Sequence, residues 1–169
     1  YLPECCVLND ELVKCSINVY RTSFRLLESL DKPVICAING YAFGGGLEIA
    51  LACDIRVVAQ ETKVGLTELG LGIIPGAGGT QRLPRLVGPA VAKELMFTAA
   101  RLTGDEAKAL GVVNHSVPRA ELLSTCKGMA MKMVRCAPIA VAQAKVAIDA
   151  GLQVDLATGL ELESQCYAV

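Results

Sequence analysis

Three consecutive glycines run into an acid, Gly44-Gly45-Gly46-Leu47-Glu48, and open a predicted helix directly behind an apolar, β-branched strand. A second acid, Glu68, follows within Leu66-Thr67-Glu68-Leu69-Gly70. Glycines at a strand-to-helix junction let a ligand oxygen approach bare backbone N–H groups, and the helix start adds partial positive charge there. Two carboxylates beside such a cradle are the groups needed to move a proton on and off a carbon next to a carbonyl.

Each acid also has an ordinary reading. Glu48 is the only charged residue between Gly44 and Cys53, flanked by Leu47, Ile49, Ala50, Leu51 and Ala52. It is either a buried carboxylate, whose pKa desolvation raises toward the range useful for proton transfer, or the wet stripe of a surface helix. Glu68 lies in a glycine-bounded turn, where an acid is ordinarily solvated. His115, the single histidine, follows Asn114 at a strand end and reads as an edge residue, since no G-x-S-x-G nucleophile motif accompanies it. The glycine triplet is neither G-x-G-x-x-G nor part of a G-x-x-x-x-G-K-[ST] loop, so no dinucleotide or P-loop fingerprint is present. Arg21, Arg25, Arg82 and Arg85 are scattered basic residues of the kind that dress a helix face or an interface.

The elements that must position these residues follow from periodicity. Over 10–30 the apolar residues Leu12, Val13, Ile17, Tyr20, Phe24, Leu27 and Leu30 recur at helical intervals, and Lys32-Pro33 stops the pattern. The apolar run 34–38 predicts a strand covered on both faces, Asn39-Gly40 a turn, 44–53 a short helix, and 54–59 another strand. Such a strand–helix–strand unit predicts an α/β fold with a parallel sheet and a right-handed crossover. The stretch 65–79 holds six glycines and Pro75, too many for one regular element, and reads as a functional loop. Helices are predicted over 80–87, over 89–99 and behind the capping box Thr103-Gly104-Asp105-Glu106. A short strand over 112–117 precedes a helical remainder broken near Pro138 and Gly151.

Composition bounds the rest. The chain of 169 residues is most simply one domain, able to bury roughly two thirds of its unfolded surface. It is 53% hydrophobic, with mean hydropathy +0.45, yet no window offers the ~18 unbroken apolar residues of a membrane helix. The excess apolar content points to buried helices or subunit contacts. Sixteen basic and seventeen acidic residues leave a net charge of −1, so no global field draws nucleic acid or anionic lipid. The eight cysteines include no C-x-x-C pair, which argues against zinc, and several sit in apolar runs as small hydrophobes of a reducing compartment rather than as a disulfide framework. The first residues carry no basic start with an apolar stretch and no Arg/Ser-rich transit character, and the chain begins without Met, as a mature form or a longer protein with its ends missing would.

Two long motifs carry a resemblance. Lys32-Pro33-Val34-Ile35-Cys36-Ala37-Ile38-Asn39-Gly40-Tyr41-Ala42-Phe43-Gly44-Gly45-Gly46-Leu47-Glu48, with Ala52-Cys53-Asp54-Ile55-Arg56, resembles the central signature of the enoyl-CoA hydratase, or crotonase, superfamily. So does Gly72-Ile73-Ile74-Pro75-Gly76-Ala77-Gly78-Gly79-Thr80-Gln81-Arg82-Leu83-Pro84-Arg85. The resemblance implies a ClpP-like spiral of ββα units with C-terminal helices, with 1–117 as spiral core and 118–169 as a helical trimerisation region. It implies Glu48 and Glu68 as the catalytic pair, Gly45 as an oxyanion-hole N–H donor, and Gly44, Gly45, Thr67, Glu68, Pro75 and Gly76 along the substrate, Gly76 beside the reacting water. The implied reaction is reversible addition of water to a trans-2-enoyl-CoA, with no metal or redox cofactor and coenzyme A as part of the substrate.

The segment Ala147-Ile148-Asp149-Ala150-Gly151-Leu152-Gln153-Val154-Asp155-Leu156-Ala157-Thr158-Gly159-Leu160-Glu161 is similar to the branch that contains the mitochondrial methylglutaconyl-CoA hydratase, which also binds AU-rich RNA. That implies a mitochondrial enzyme of leucine or fatty-acid breakdown, assembled as a trimer or dimer of trimers. The family's first oxyanion donor belongs to a G-A-D-like motif that 1–9 do not match, and its further C-terminal helices with a CoA-contacting lysine lie beyond this text. The RNA-binding helix of that branch is lysine-rich, whereas 10–30 here has only Lys14, Arg21 and Arg25, which leaves RNA a weak expectation.

Overall fold

The computed structural model describes residues 10–168, with side chains from 17 onward; the expectation concerning 1–9 lies outside the described residues. Helix α1, Asp10–Glu28, ends five residues before Pro33, and the strand β1, Ile35–Ile38, begins just after it. β2, Ala42–Phe43, leads into α2, Gly45–Leu51, followed by β3, Ile55–Ala59, and β4, Lys63–Gly65. A short 3-10 turn, Glu68–Leu71, precedes α3, Gly79–Val87, and α4, Pro89–Phe97. Then come β5, Leu102–Thr103, α5, Gly104–Ala109, and β6, His115–Val117. A 3-10 turn, Arg119–Glu121, leads into α6, Leu122–Met133, and the chain closes with α7, Pro138–Gly151, and α8, Leu156–Tyr167.

The expected parallel unit is present. β1 pairs with β3 in parallel, Ile35 opposite Ile55 through Ile38 opposite Val58, and β3 pairs in parallel with β6. A second three-stranded sheet, absent from the sequence reading, has β2 parallel to β4 and β4 antiparallel to β5. Strands β1 to β4 alternate between the two sheets, so β1–β2–α2 is one ββα unit and β3–β4 starts the next. Two- and three-residue strands are too short to show period-two alternation, which is why the second sheet was invisible to pattern.

The core lies between these layers. Ile38, Leu47, Val58, Val64, Leu66, Leu83, Met96, Val112 and Val113 pack as one buried cluster. Val57 and Ala59 face the other way and pack on Leu122 and Cys126, which ties α6 to the sheet. The capping box forms as expected, the Thr103 hydroxyl accepting from the Glu106 N–H while the Glu106 carboxylate accepts from the Thr103 N–H at 2.7 Å. Helices α7 and α8 differ in kind: neither buries a residue fully, and they pack mainly on each other, with Gly159 against Gly151. A strap joins them to the segments flanking β1 and β3, Lys145 Nζ donating to the Lys32 carbonyl at 3.4 Å and to Asp54 Oδ2 at 3.0 Å, the same oxygen that accepts from the Val34 N–H at 2.6 Å.

Candidate active site

The first turn of α2 is where backbone donors are free. Gly44 caps the helix with φ +54°, a left-handed conformation that favours glycine, and its own N–H is engaged with the Gly65 carbonyl at 2.9 Å. The next N–H groups, of Gly45 and Gly46, have no intrahelical partner by construction. Of the glycine triplet, then, Gly45 and Gly46 offer N–H groups that a ligand oxygen could accept from, and Gly44 supplies the shape. A Cβ on Gly44 would sit 3.1 Å from Glu68 Oε1, so the missing side chain is what admits the Glu68 carboxyl to this spot.

One turn into α2, Glu48 is 3% exposed, which resolves its two readings in favour of burial. A buried carboxylate must find donors. Glu48 Oε1 accepts the Ala77 N–H and the Gly79 N–H, each at 2.8 Å, both from the glycine-rich loop that precedes α3. Close approach is again set by a missing side chain, since a Cβ on Gly79 would lie 3.1 Å from that oxygen and 3.0 Å from Pro75 Cβ. The two amides spend themselves on one oxygen, which fixes the carboxylate plane and leaves Oε2 as its other edge.

Glu68 opens the 3-10 turn behind Thr67 and is 9% exposed rather than solvated, contrary to what its turn setting suggests. Burial pushes its carboxyl above the usual 4.5, and the nearby charge of Glu48 pushes it further, partly offset by its own backbone N–H. Its Oε2 is buried and has no hydrogen-bond partner among the described residues. An acid of raised pKa with an unengaged oxygen, electrostatically coupled to a second, amide-oriented carboxylate, is an arrangement that can serve acid/base chemistry.

The loop between them is clamped from outside. Arg82 Nη1 donates to the Ala77 carbonyl at 2.8 Å, while its Nε and Nη2 fork onto both oxygens of Glu28, at 2.5 and 2.9 Å. Arg21 Nε donates to the Gly76 carbonyl at 2.9 Å. Two arginines that read as surface dressing therefore hold the loop whose amides hold Glu48. One signal for this is readable in the chain: an arginine near the N-terminus of a helix opposes the dipole and needs an acceptor. Arg21, Arg25, Arg82 and Arg85 also line an open cavity of about 710 Å³. With Arg82 paired to Glu28 and Asp149 also in the wall, it is not a uniformly basic surface of the kind that tracks a nucleic-acid backbone.

The remaining expected site residues fall around the pair. Thr67 is half-buried at the start of the turn, Pro75 is buried, and Gly76 is half-buried beside Ile17 of α1. His115 is exposed on β6, away from the acids' contacts.

Comparison with known proteins agrees with this geometry. The enoyl-CoA hydratase/isomerase family profile matches residues 7–168. The chain is 52% identical over 167 residues to the human mitochondrial enoyl-CoA hydratase domain-containing protein 2, covering 94% of this chain and 57% of that protein. It is 50% identical over 156 residues to the rat mitochondrial methylglutaconyl-CoA hydratase, covering 90% of this chain and 50% of the relative. The crystal structure of enoyl-CoA hydratase from Bacillus anthracis superposes with a TM-score of 0.94 at 49% identity, over 99% of this chain and 65% of that one. The chain thus spans between half and two thirds of the length of the proteins it resembles.

Proposed function

The chain belongs to the enoyl-CoA hydratase/isomerase family, and from that premise we propose that it catalyses hydration: reversible syn-addition of water to a trans-2-enoyl-CoA thioester. The observation that carries this reading is the buried pairing of Glu48 with Glu68 beside the donor end of α2. Glu48, oriented by Ala77 and Gly79, takes a proton from water as the water oxygen bonds to Cβ. Electron density moves through Cα to the thioester oxygen, where the Gly45 N–H and the α2 dipole stabilise the enolate-like charge. Glu68, whose carboxyl burial pushes above the usual 4.5, delivers its proton to Cα. Migration of a double bond needs one group to shuttle one proton; adding water needs a base for the oxygen and an acid for the carbon, and two acids are present.

The substrate, on this reading, is an acyl-CoA of fatty-acid or branched-chain amino-acid breakdown, and the working form is a trimer or a pair of trimers. Support for assembly comes from the apolar residues left exposed on the last helices, Leu152 at 73% and Leu156 at 79%. A mitochondrial location draws its support from the two mitochondrial relatives, while the bacterial enzyme is as similar.

Crotonyl-CoA turnover, followed by loss of the enoyl absorbance, tests the reaction. Glu48→Gln and Glu68→Gln are each expected to lower kcat by at least ~100-fold, the size of a lost general base or acid. Activity that survives in one variant and not in the other would replace hydration with isomerase-type chemistry.

A further inference from the structure

Arg56 is a buried charge outside the acid pair. It is the second residue of β3 and is 5% exposed. Such a charge is costly unless hydrogen bonds replace its water, and a carboxylate is the common partner. Both ion pairs among the described residues involve other groups, Arg82 with Glu28 and Lys145 with Asp54. The Arg56 guanidinium bonds instead to backbone carbonyls: Nε donates to Val112 at 3.0 Å, and Nη1 donates to Cys53 at 2.6 Å and to Ala50 at 3.5 Å. Asn114 brackets the Arg56 backbone, its Oδ1 accepting the Arg56 N–H at 2.9 Å and its own N–H donating to the Arg56 carbonyl at 2.9 Å.

These partners belong to two bodies. Ala50 and Cys53 lie in and just past the last turn of α2, at the negative end of the helix dipole. Val112 is 1% exposed within the main core cluster, and Asn114 immediately precedes β6. One planar group therefore couples the end of α2 to the 112–114 segment, and its rigid fork fixes an angle between them that a flexible ammonium would not. Helix α2 has only seven residues, about 10 Å of helix, too short to hold a direction by its own hydrogen bonds. A tilt of its last turn reaches its first, where the Gly45 N–H has no intrahelical partner.

We propose that Arg56 is a positioning residue for the oxyanion end of α2: from the far end of the helix, its guanidinium sets the direction in which the Gly45 N–H meets the thioester oxygen. The assignment rests on the proposed function for the identity of that oxygen. Arg56 bonds at the opposite end of α2 from Gly45, so it acts through the helix and no proton passes through it. Lysine in its place keeps a positive charge at the negative end of the helix and loses the fork, which separates charge from geometry.

The test reads the infrared stretch of the thioester carbonyl in butyryl-CoA, which is saturated and so inert to hydration, isotope-labelled at that carbon and bound to the whole chain. Donors that polarise a carbonyl lower its stretching frequency. Wild type is expected to show the lowered frequency, and Arg56→Lys to lose at least half of that lowering, with a fall in kcat on crotonyl-CoA of roughly 10- to 100-fold and KM little changed. A residue that only stabilised the fold would lower the melting temperature and leave the carbonyl frequency of the folded protein where it was. Asn114→Ala keeps the guanidinium and frees the backbone behind it; it is expected to move the frequency in the same direction, and it supplies the reading if Arg56→Lys does not fold. A wild-type shift retained in full by the folded variants overturns the assignment alone. No shift in the wild type overturns the oxyanion reading of α2, and the assignment with it.

Discussion

At the scale of single residues, the two acids differ in how far the sequence exposes them. Glu48 stands alone among apolar residues on a short helix, so its burial is half-visible in the text, but the donors that make burial tolerable come from Ala77 and Gly79, far along the chain. Glu68 is invisible locally: a turn acid between glycines reads as wet, and only the packing of its carboxyl against Gly44 makes it dry. That burial has a pH signature. Because the folded state raises the Glu68 pKa above 4.5, the folded chain holds more protons than the unfolded one between the two values, and stability falls as pH rises through that window. Glu68→Gln removes the cost of charging. The variant is therefore expected to melt higher than wild type at pH 8, with the difference shrinking toward zero below pH ~4.5; thermal melts at the two pH values check it, and a variant less stable at pH 8 than at pH 4 relative to wild type would contradict it.

Among the elements, those long enough to carry a period are legible and those that are not must be supplied by the fold. The parallel β1–β3 pair, the helices either side of Gly88 and the Thr103 capping box all follow from local pattern and cap chemistry. The second sheet is made of strands of two and three residues whose pairing is fixed by long-range contact alone. The 65–79 loop was legible as functional but not as clamped. Its geometry is set by α1, through Arg21 on the Gly76 carbonyl and through the fork of Arg82 between Glu28 and the Ala77 carbonyl. Arg82→Met keeps an unbranched apolar stem and removes the guanidinium fork. The expected outcome is a fall in kcat of roughly 10- to 100-fold with KM little changed, because the loop amides that orient Glu48 shift while the binding contacts do not; steady-state kinetics on crotonyl-CoA separates this from a loss confined to KM.

For the whole molecule, the high apolar content of the sequence is spent in two places. Part fills the core between the sheets, and part stays on the outside, on Leu71, Ile73 and Ile74 beside the acids and on Ile148, Leu152, Leu156 and Leu160 of the last two helices. Exposed apolar side chains in that number are what a subunit contact covers. Paired charges placed there, as in Leu152→Asp with Leu156→Asp, are expected to reduce the mass of the particle to a smaller assembly in light scattering, with the monomer's circular dichroism retained. The strap from Lys145 to Asp54 has a thermodynamic corollary. A helical hairpin that buries nothing fully and is strapped down through the Lys145 ammonium group opens with a smaller free energy than the buried strands. Deuterium should therefore enter the amides of 138–167 well before those of 55–59, and Lys145→Met should widen that gap by hastening the former alone.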